Sequence, residues 1–205
     1  MIQPTILLVR ASVIRVVLGA HDLTKDEATQ VTISCSESDI ITHEEYFSAL
    51  LKNDIGLVHL SEKVNFTSAI QPINLPSSSD PDLGTGVLLT ATGWGLQSDA
   101  ENATDSATLY EVTNPSITNE ECAEVYGPTV TEDTICTDTL PNNQGTCTGD
   151  SGGPLNYVVD EKTYSRGITS FVSSEGCEAG LPDGFVRTSH FLDWISEKTG
   201  IAIDP

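Results

Sequence analysis

Short apolar runs separated by clusters of Gly, Pro, Asn and Ser dominate this chain of 205 residues. Runs of this length bounded by turn-forming residues are typical of β-strands rather than helices. Six segments carry the clearest strand pattern: 12–18, 55–60, 87–92, 155–159, 163–172 and 184–188. The pattern therefore predicts an all-β protein.

Helical spacing is clear at one place, near the end of the chain. Phe191, Trp194 and Ile195 fall at i, i+3 and i+4, so they would share one face of a helix. Ser189 is the candidate N-cap of this helix. A weaker helical pattern covers 119–125. We expect one C-terminal helix and a second, shorter one before it.

Charge excludes some functions and leaves others open. The chain has 30 acidic and 9 basic residues, a net charge of −21. Nucleic acid as a partner is excluded because it requires a basic face, and anionic membrane surfaces are disfavoured. No apolar run approaches the ~20 residues of a membrane span, and the stretch 6–9 is too short for a signal-peptide core. A solvated acidic shell is favoured over steering of basic substrates.

A glycine-rich turn around Ser151 carries the clearest candidate chemistry; the stretch 149–154 reads Gly-Asp-Ser-Gly-Gly-Pro. A serine hydroxyl is a weak nucleophile that needs a base and donors for the developing oxyanion. Flanking glycines allow backbone angles closed to other residues. The N–H groups of Gly149 and Ser151 could form an oxyanion hole. The Asp150 carboxylate is expected to form an ion pair with a buried cation. The alternative is a hairpin turn with a chance serine.

The pattern Gly149-x-Ser151-x-Gly153 also fits the nucleophile elbow of α/β-hydrolases. Asp183 and His190 follow it in that fold's order. An elbow serine is followed directly by a helix, whereas 152–154 is a poor helix start and the next segments read as strands. An esterase of this fold is therefore the weaker alternative.

The hexapeptide resembles the nucleophile segment of chymotrypsin-like serine proteases, and other segments match in that family's order. They are 53–57 (triad aspartate), 92–95 (start of the second barrel), 167–171 (cleft strand), 182–186 (closing strand) and 191–195 (C-terminal helix). Ordered motifs are far more specific than one alone. The resemblance, over about 13–203, implies two Greek-key antiparallel β-barrels and a C-terminal helix. An incomplete first barrel would occupy 1–82, ending in the linker 76–82, and the second 83–205.

The resemblance also implies roles for single residues. Ser151 would be the nucleophile, Gly149 would share the oxyanion hole with it, and Asp54 would orient a histidine. Ser170 would support Asp54 and the substrate backbone. Asp150 would pair with the amine that activation cleavage creates. The substrate would be a protein or peptide.

The substrate pocket can be read from the same resemblance. Gly145 would form its base, Asp183 its wall and Val172 its mouth. The pairing of Gly145 with Asp183, together with 177–183, resembles the collagenolytic proteases of crabs and the chymotrypsin-like gut proteases of insects. A β-branched residue at the mouth predicts small or medium aliphatic side chains before the scissile bond. An exposed turn residue is the alternative for Asp183.

Two expected segments have no match in the chain: the Ala-Ala-His-Cys of the catalytic histidine and the activation motif Ile-Val-Gly-Gly. The four histidines, His21, His43, His59 and His190, are each expected to be structural or exposed. Without the base, turnover would fall by about a million-fold. We expect either a truncated protease or a non-catalytic homologue that binds a protein partner. Retention of Asp54, Ser151 and Ser170 favours truncation.

The five cysteines indicate an oxidising compartment, and hence a secreted protein. The resemblance implies the disulfides Cys122–Cys136 and Cys147–Cys177, and leaves Cys35 over. The triplets 65–67 and 102–104 are glycosylation sequons. Protein inhibitors are further expected partners, and the sequence predicts neither a cofactor nor a metal site.

Overall fold

The computed structural model describes residues 13–80, 82–100, 102–141 and 143–205. Within these ranges the chain forms ten strands and two α-helices. The strands are β1 Val13–Leu18, β2 Val31–Ser36, β3 Ile40–Thr42, β4 Gly56–Val58, β5 Leu88–Gly93, β6 Tyr110–Ile117, β7 Thr134–Thr137, β8 Pro154–Val159, β9 Lys162–Phe171 and β10 Asp183–Arg187. The helices are α1 Asn119–Tyr126 and α2 Leu192–Thr199.

The last six strands close into one antiparallel barrel in the order β10-β7-β6-β5-β8-β9. The longest regular pairing joins β5 to β6, from Leu88 opposite Pro115 to Gly93 opposite Tyr110. Alternate residues point inward, and a cluster of buried side chains fills the barrel: Leu89, Ala91, Ile135, Leu155 and Phe185. Because closure leaves no strand edge unpaired, the second half has a complete sheet and a continuous core.

The first half is less closed. Its described residues form two separate two-stranded sheets, β1 with β2 and β3 with β4. The β1–β2 pair runs from Val13 opposite Ser36 to Leu18 opposite Val31. An all-β fold with a barrel in the second half and a C-terminal helix is therefore confirmed.

The six strands predicted from the sequence are all present with small shifts at their ends, although Ser12 of the first lies outside the described residues. Four strands were missed: β2, β3, β6 and β7. β6 contains Asn114 and Pro115, which weaken a strand pattern, and β7 reads Thr-Ile-Cys-Thr with all four residues buried. Pairing within the closed barrel, which the local pattern does not encode, stabilises β6 and β7 as strands.

Both helices were predicted, and one predicted cap is wrong. α1 begins with a capping box, in which the Thr118 hydroxyl accepts from the N–H of Glu121 at 3.1 Å and the Glu121 carboxylate accepts from the N–H of Thr118 at 2.9 Å. α2 follows a 3₁₀ turn over Thr188–Phe191, and Phe191 occupies its N-cap without a side-chain hydrogen bond. Ser189 is not the cap because the extra turn moves the start of the helix past it.

α2 makes one set of contacts between the halves. Its Trp194 indole donates to the carboxylate of Glu44 at 3.0 Å, and Lys198 forms an ion pair with Glu44 at 2.6 Å. Ile55 packs with Val186, Phe191 and Ile195 in one buried cluster. These contacts hold the short β3–β4 sheet against the second half.

The predicted linker is also held by side chains of the second half. Arg166 pairs with Asp80 at 3.0 Å, and Arg187 pairs with Asp82 at 3.0 Å; Pro81 lies outside the described residues. Across the ranges given above, neither helix is long and apolar enough to cross a membrane.

Candidate active site

Ser151 lies exposed on a turn that ends where β8 begins. Gly149 and Gly152 have φ of +99° and +82°, in the left-handed region that favours glycine. A Cβ at position 149 would lie 2.9 Å from the Cα of Gly95, so close packing also requires glycine there. Within the described residues, no protein acceptor takes the backbone N–H of Gly149 or Ser151. Both donors are therefore available to a developing oxyanion.

The residues after Ser151 overturn the esterase alternative. Pro154–Val159 is strand β8, which pairs with β5 and β9 in the barrel. An elbow serine needs a helix at this place. The strand forms because its inward-facing Leu155 belongs to the barrel core.

The serine turn is joined to β9 by two backbone hydrogen bonds. The N–H of Gly152 donates to the carbonyl of Thr169, and the N–H of Thr169 donates to the carbonyl of Gly153, both at 2.8 Å. The next residue on β9 is Ser170, which is 9% exposed. The turn and Ser170 are thus held in a fixed relation by one strand.

Asp54 reaches the same strand from the first half. Its carboxylate accepts a hydrogen bond from the hydroxyl of Ser170 at 2.7 Å, across 116 positions of sequence. Burial raises the pKa of Asp54 above its ordinary value, and the hydrogen bond from Ser170 opposes that shift. The contact expected between Ser170 and Asp54 is present, and it connects Asp54 to the strand that holds the serine turn.

Asp150 points inward, away from the exposed side of the turn. Its two carboxylate oxygens accept from the N–H groups of Gly95 and Cys147, each at 2.9 Å. A Cβ at Gly93 or Gly95 would overlap this carboxylate, which explains the glycine pair in the sequence. Among the described residues no Lys, Arg or His side chain pairs with Asp150. Its pairing with an amine stays a prediction.

A cleft of about 430 Å³ opens beside Asp150. Gly93, Gly95 and Gly145 line it together with Tyr110 and Glu178. Of the four residues predicted to bind substrate, Gly145 is the one that faces this cleft; Ser170, Val172 and Asp183 are not among its lining residues. The cleft therefore lies against the back of the serine turn.

Asp183 begins β10 and is 2% exposed. One carboxylate oxygen accepts from the N–H of Thr146 at 2.6 Å and from its hydroxyl at 3.0 Å. A Cβ at Gly145 would overlap the same oxygen, so the carboxyl fills the space of a side chain at 145. Burial raises the pKa of Asp183 to about 7, against the two hydrogen bonds from Thr146, which lower it. The alternative of an exposed turn residue is wrong.

Two residues near Asp183 were missed from the sequence. Thr146 binds its carboxylate, and Tyr126 donates its hydroxyl hydrogen bond to the carbonyl of Pro182. The Tyr126 ring meets Phe171 edge-to-face at 5.1 Å. Val172 follows Phe171 at the end of β9 and is half-buried. The two missed contacts span 37 and 56 positions, so no local pattern announces them.

The four histidines lie elsewhere. His43 packs between Phe191 and Trp194, with ring centroids 5.5 and 5.0 Å away. His59 lies 3.6 Å from a carboxylate oxygen of Asp39, His190 meets Phe191 edge-to-face, and His21 is exposed. In the described structure none of the four hydrogen-bonds to Ser151 or Asp54. None of them is placed to act as the base.

Both disulfides implied by the resemblance are present. Cys122–Cys136 and Cys147–Cys177 have Cα separations of 6.4 and 5.3 Å, and Cys35 is free and buried. A carboxylate oxygen of Asp99 lies within 4.8 Å of the sulfurs of Cys147 and Cys177. Those sulfurs are bonded to each other and offer no thiolate, so this group is not a metal site.

Comparison with known proteins identifies the family of the chain. The family model described as Trypsin matches residues 7–195. Brachyurin from Leptuca pugilator is 48% identical over 191 residues, which cover 93% of this chain and 79% of that protein. Collagenase from Hypoderma lineatum is 38% identical over 164 residues, which cover 79% of this chain but 60% of that protein.

Solved structures show the same fold. The structure titled "HL collagenase structure at 1.7 Å resolution" aligns with a TM-score of 0.78 at 35% identity, covering 93% of this chain and 78% of that one. The structure titled "Structure of GrC" aligns with a TM-score of 0.79 at 27% identity, covering 91% of this chain and 78% of that one. These alignments confirm the two-barrel fold class and the expected likeness to collagenolytic relatives. The chain belongs to the trypsin family of chymotrypsin-like serine proteases.

Proposed function

We propose that Ser151 is the nucleophile of a serine endopeptidase in which Asp54 orients the base and the N–H groups of Gly149 and Ser151 bind the oxyanion. One observation carries this proposal. Hydrogen bonds connect the serine turn to β9 through Thr169, and β9 to Asp54 through Ser170. Family membership supplies the reaction class, cleavage of peptide bonds.

The reaction would proceed through an acyl-enzyme. The Ser151 hydroxyl oxygen attacks the scissile carbonyl carbon while a histidine takes the hydroxyl proton and later gives it to the leaving amine. Water then attacks the acyl carbon while the histidine takes a proton from it. That proton passes to the Ser151 oxygen as the ester bond breaks and the acid product leaves. Because none of the four histidines lies at Asp54, these 205 residues by themselves should hydrolyse peptides at a background rate. The reaction requires an imidazole from residues outside this set.

The cleft beside Asp150 supports the proposed role of that carboxylate. It offers room for a peptide segment next to an acid whose present partners are two backbone N–H groups. The expected partner is a free α-amine at the start of a segment resembling Ile-Val-Gly-Gly. The tetrapeptide Ile-Val-Gly-Gly should bind in the cleft, and its N-acetylated form, which lacks the charge, should not. Equal binding of the two peptides would refute the amine pairing.

The pocket residues support a preference for small or medium aliphatic side chains before the scissile bond. Asp183 is buried, bound to Thr146, and has its pKa raised to about 7, so at or below neutral pH it carries less than a full charge. Val172 at the pocket mouth would narrow entry. Faster cleavage after Arg or Phe than after Ala or Leu would refute this preference.

A histidine-complemented protein tests the reaction itself. The 205 residues would be preceded by the histidine-bearing segment of a trypsin-family relative, and labelling by a fluorophosphonate and peptide hydrolysis would be measured. We expect both activities in this protein, loss of both in Ser151→Ala, and a fall of about 10⁴ in turnover in Asp54→Asn. Ser165→Ala, on β9 but outside the site, serves as the matched control and should retain both.

The competing function is a non-catalytic homologue that binds a protein partner through the former substrate cleft; the placement of the four histidines away from Asp54 supports the loss of catalysis in this alternative. A folded, complemented protein that neither reacts with the fluorophosphonate nor cleaves peptides would support that alternative. We further propose that the protein is secreted, with protein substrates and protein inhibitors as partners. The two disulfides support secretion, since such bonds persist in oxidising compartments.

A further inference from the structure

The turn that presents Asp54 has an unusual backbone. Leu51 and Asn53 have φ of +52° and +51°, in the left-handed region that non-glycine residues rarely adopt. The N–H of Ile55 donates to the carbonyl of Asn53 at 2.8 Å, which closes the chain tightly around Asp54. Such backbone persists only where surrounding contacts over-determine it. The contacts of this turn therefore indicate what holds Asp54 in place.

Support from the first half is local and includes two backbone hydrogen bonds between Phe47 and Lys52, at 3.0 and 3.2 Å. The Asn53 side-chain amide donates to the carbonyl of Glu45 at 2.9 Å, and the N–H of His43 donates to the carbonyl of Ile55 at 3.1 Å. The adjoining sheet pairs only three residues of β3 with three of β4. A two-stranded sheet of this size is marginal by itself. The turn has further anchors.

Those anchors come from the second half, at three neighbouring positions. Leu51 packs against the buried cluster of Cys122, Tyr126, Cys136 and Phe171. The N–H of Asn53 donates to the carboxylate of Asp133 at 3.2 Å, across 80 positions of sequence. The Asp54 carboxylate accepts from Ser170. Of these contacts, Asp133 is the one that binds the backbone of the turn directly before Asp54.

Asp133 is itself well anchored, next to the start of β7. Its second carboxylate oxygen accepts from the hydroxyl of Thr131, and its carbonyl accepts from the N–H of Arg187 at 2.7 Å. The Arg187 guanidinium donates to the carbonyls of Glu132 and Thr134 on either side, each at 3.1 Å. The carboxylate is thus a fixed acceptor on the rim of the closed barrel.

We propose that Asp133 is a positioning residue for Asp54: it holds the N–H of Asn53 and so keeps the strained turn in the conformation that directs Asp54 at Ser170. This inference rests on the proposed role of Asp54 in the reaction. Without the acceptor, the Asn53 N–H loses its partner and the turn can relax out of the left-handed region. Asp54 then shifts relative to Ser170 and gains contact with water.

The titration of Asp54 tests this without relying on activity. The 205-residue chain would be labelled with ¹³C at aspartate carboxyls, and the Asp54 signal assigned by its loss in Asp54→Asn. Burial raises the pKa of Asp54, so we expect that pKa to fall toward the ordinary value of about 3.9 in Asp133→Ala. Asp133→Asn keeps an oxygen acceptor and should restore the wild-type titration.

Asp138→Ala is the matched control, because Asp138 is also half-buried and also accepts one backbone N–H, from Leu140 at 2.9 Å. The inference would be overturned if the pKa of Asp54 did not fall in Asp133→Ala. It would also be overturned if that pKa fell equally far in Asp133→Asn or in Asp138→Ala. If Asp133→Ala does not fold, Asp133→Glu replaces it, because glutamate keeps the charge but displaces the acceptor. The pKa of Asp54 is expected to fall in Asp133→Glu as well.

The complemented protein separates this inference from the proposed function. If Asp54→Asn leaves turnover there unchanged, the catalytic role of Asp54 fails, while the titration result still decides what Asp133 does. If Asp54→Asn lowers turnover, Asp133→Ala should lower kcat with little change in KM, and Asp133→Asn should restore kcat. Turnover of Asp133→Ala equal to wild type would count against the positioning role.

Discussion

The two halves of the molecule differ in how many of their strand edges are paired. The second half closes six strands into a barrel, whereas the described part of the first half has two sheets of two strands each. Prolines and glycines aside, eighteen apolar residues are buried among the described residues, and four of them lie in the first half: Ile33, Cys35, Ile55 and Ile70. One of these four, Ile55, belongs to a core cluster, and the other fully buried residues of that cluster lie in the second half.

This difference shows where the candidate site gets its precision. The serine turn is part of the barrel, bonded directly to β9. Asp54 lies on the half without a closed barrel. Three residues of its turn, Leu51, Asn53 and Asp54 itself, contact the second half. The barrel therefore serves as the frame to which both parts of the site are attached.

Core truncations should break the comparison most strongly. Phe185 is 1% exposed and lies in the barrel core, so Phe185→Ala should lower the free energy of unfolding by about 3–5 kcal/mol and destabilise both halves. Ile33→Ala, in β2 and outside the core clusters, should cost about 2 kcal/mol. Urea denaturation measures the change in the free energy of unfolding. Amide hydrogen exchange shows which strands are destabilised. Faster exchange throughout the barrel in Ile33→Ala would contradict the division.

The disulfide between α1 and β7 should have the next largest effect. Replacing Cys122 and Cys136 by alanine opens a loop with a sequence separation of 14 and should lower stability by about 3 kcal/mol. Thermal denaturation without reductant measures the loss. Cys35→Ala, which changes a free buried thiol in the first half, is the control. Equal losses in the two proteins would show that the first half is as tightly constrained as the second.

Asp183 should make the second half sensitive to pH. Its pKa is raised from 3.8 to about 7 in the folded state, so between these values the folded protein binds a proton that the unfolded chain has lost. Stability from this group is full below about pH 4 and is lost as pH rises to 7, by up to about 1.4 kcal/mol per pH unit. Asp183→Asn should remove this slope in urea titrations from pH 4 to 8. An unchanged slope would assign it to other groups.

The smallest expected effect concerns the start of α1. Thr118→Ala removes one side of the capping box and should cost about 1 kcal/mol, while Thr118→Ser should keep most of the stability. Because α1 packs on the barrel, hydrogen exchange should rise in α1 and leave β1 and β2 unchanged. A matching rise in β1 and β2 would mean that the halves open together.

Several features of the fold and site could be predicted from residues close together in the chain. The glycines around Ser151 predicted a turn with backbone angles closed to other residues. The spacing of Phe191, Trp194 and Ile195 predicted α2. The strands β6 and β7 could not be predicted in the same way, because Asn114 and Pro115 interrupt the strand pattern of β6 and β7 is only four residues long. Ser189 failed as a cap because an added 3₁₀ turn displaced the helix start.

The sequence by itself determined the strand-rich architecture, the serine turn and its glycines, since these depend on neighbouring residues and on steric limits of the backbone. Only the tertiary structure decided that Thr146 holds Asp183, that Gly95 and Cys147 hold Asp150, and that Asp133 binds the turn of Asp54. Most of these contacts join positions dozens of residues apart. Their geometry exists only after the barrel has closed, because closure brings the distant donors and acceptors within hydrogen-bond distance.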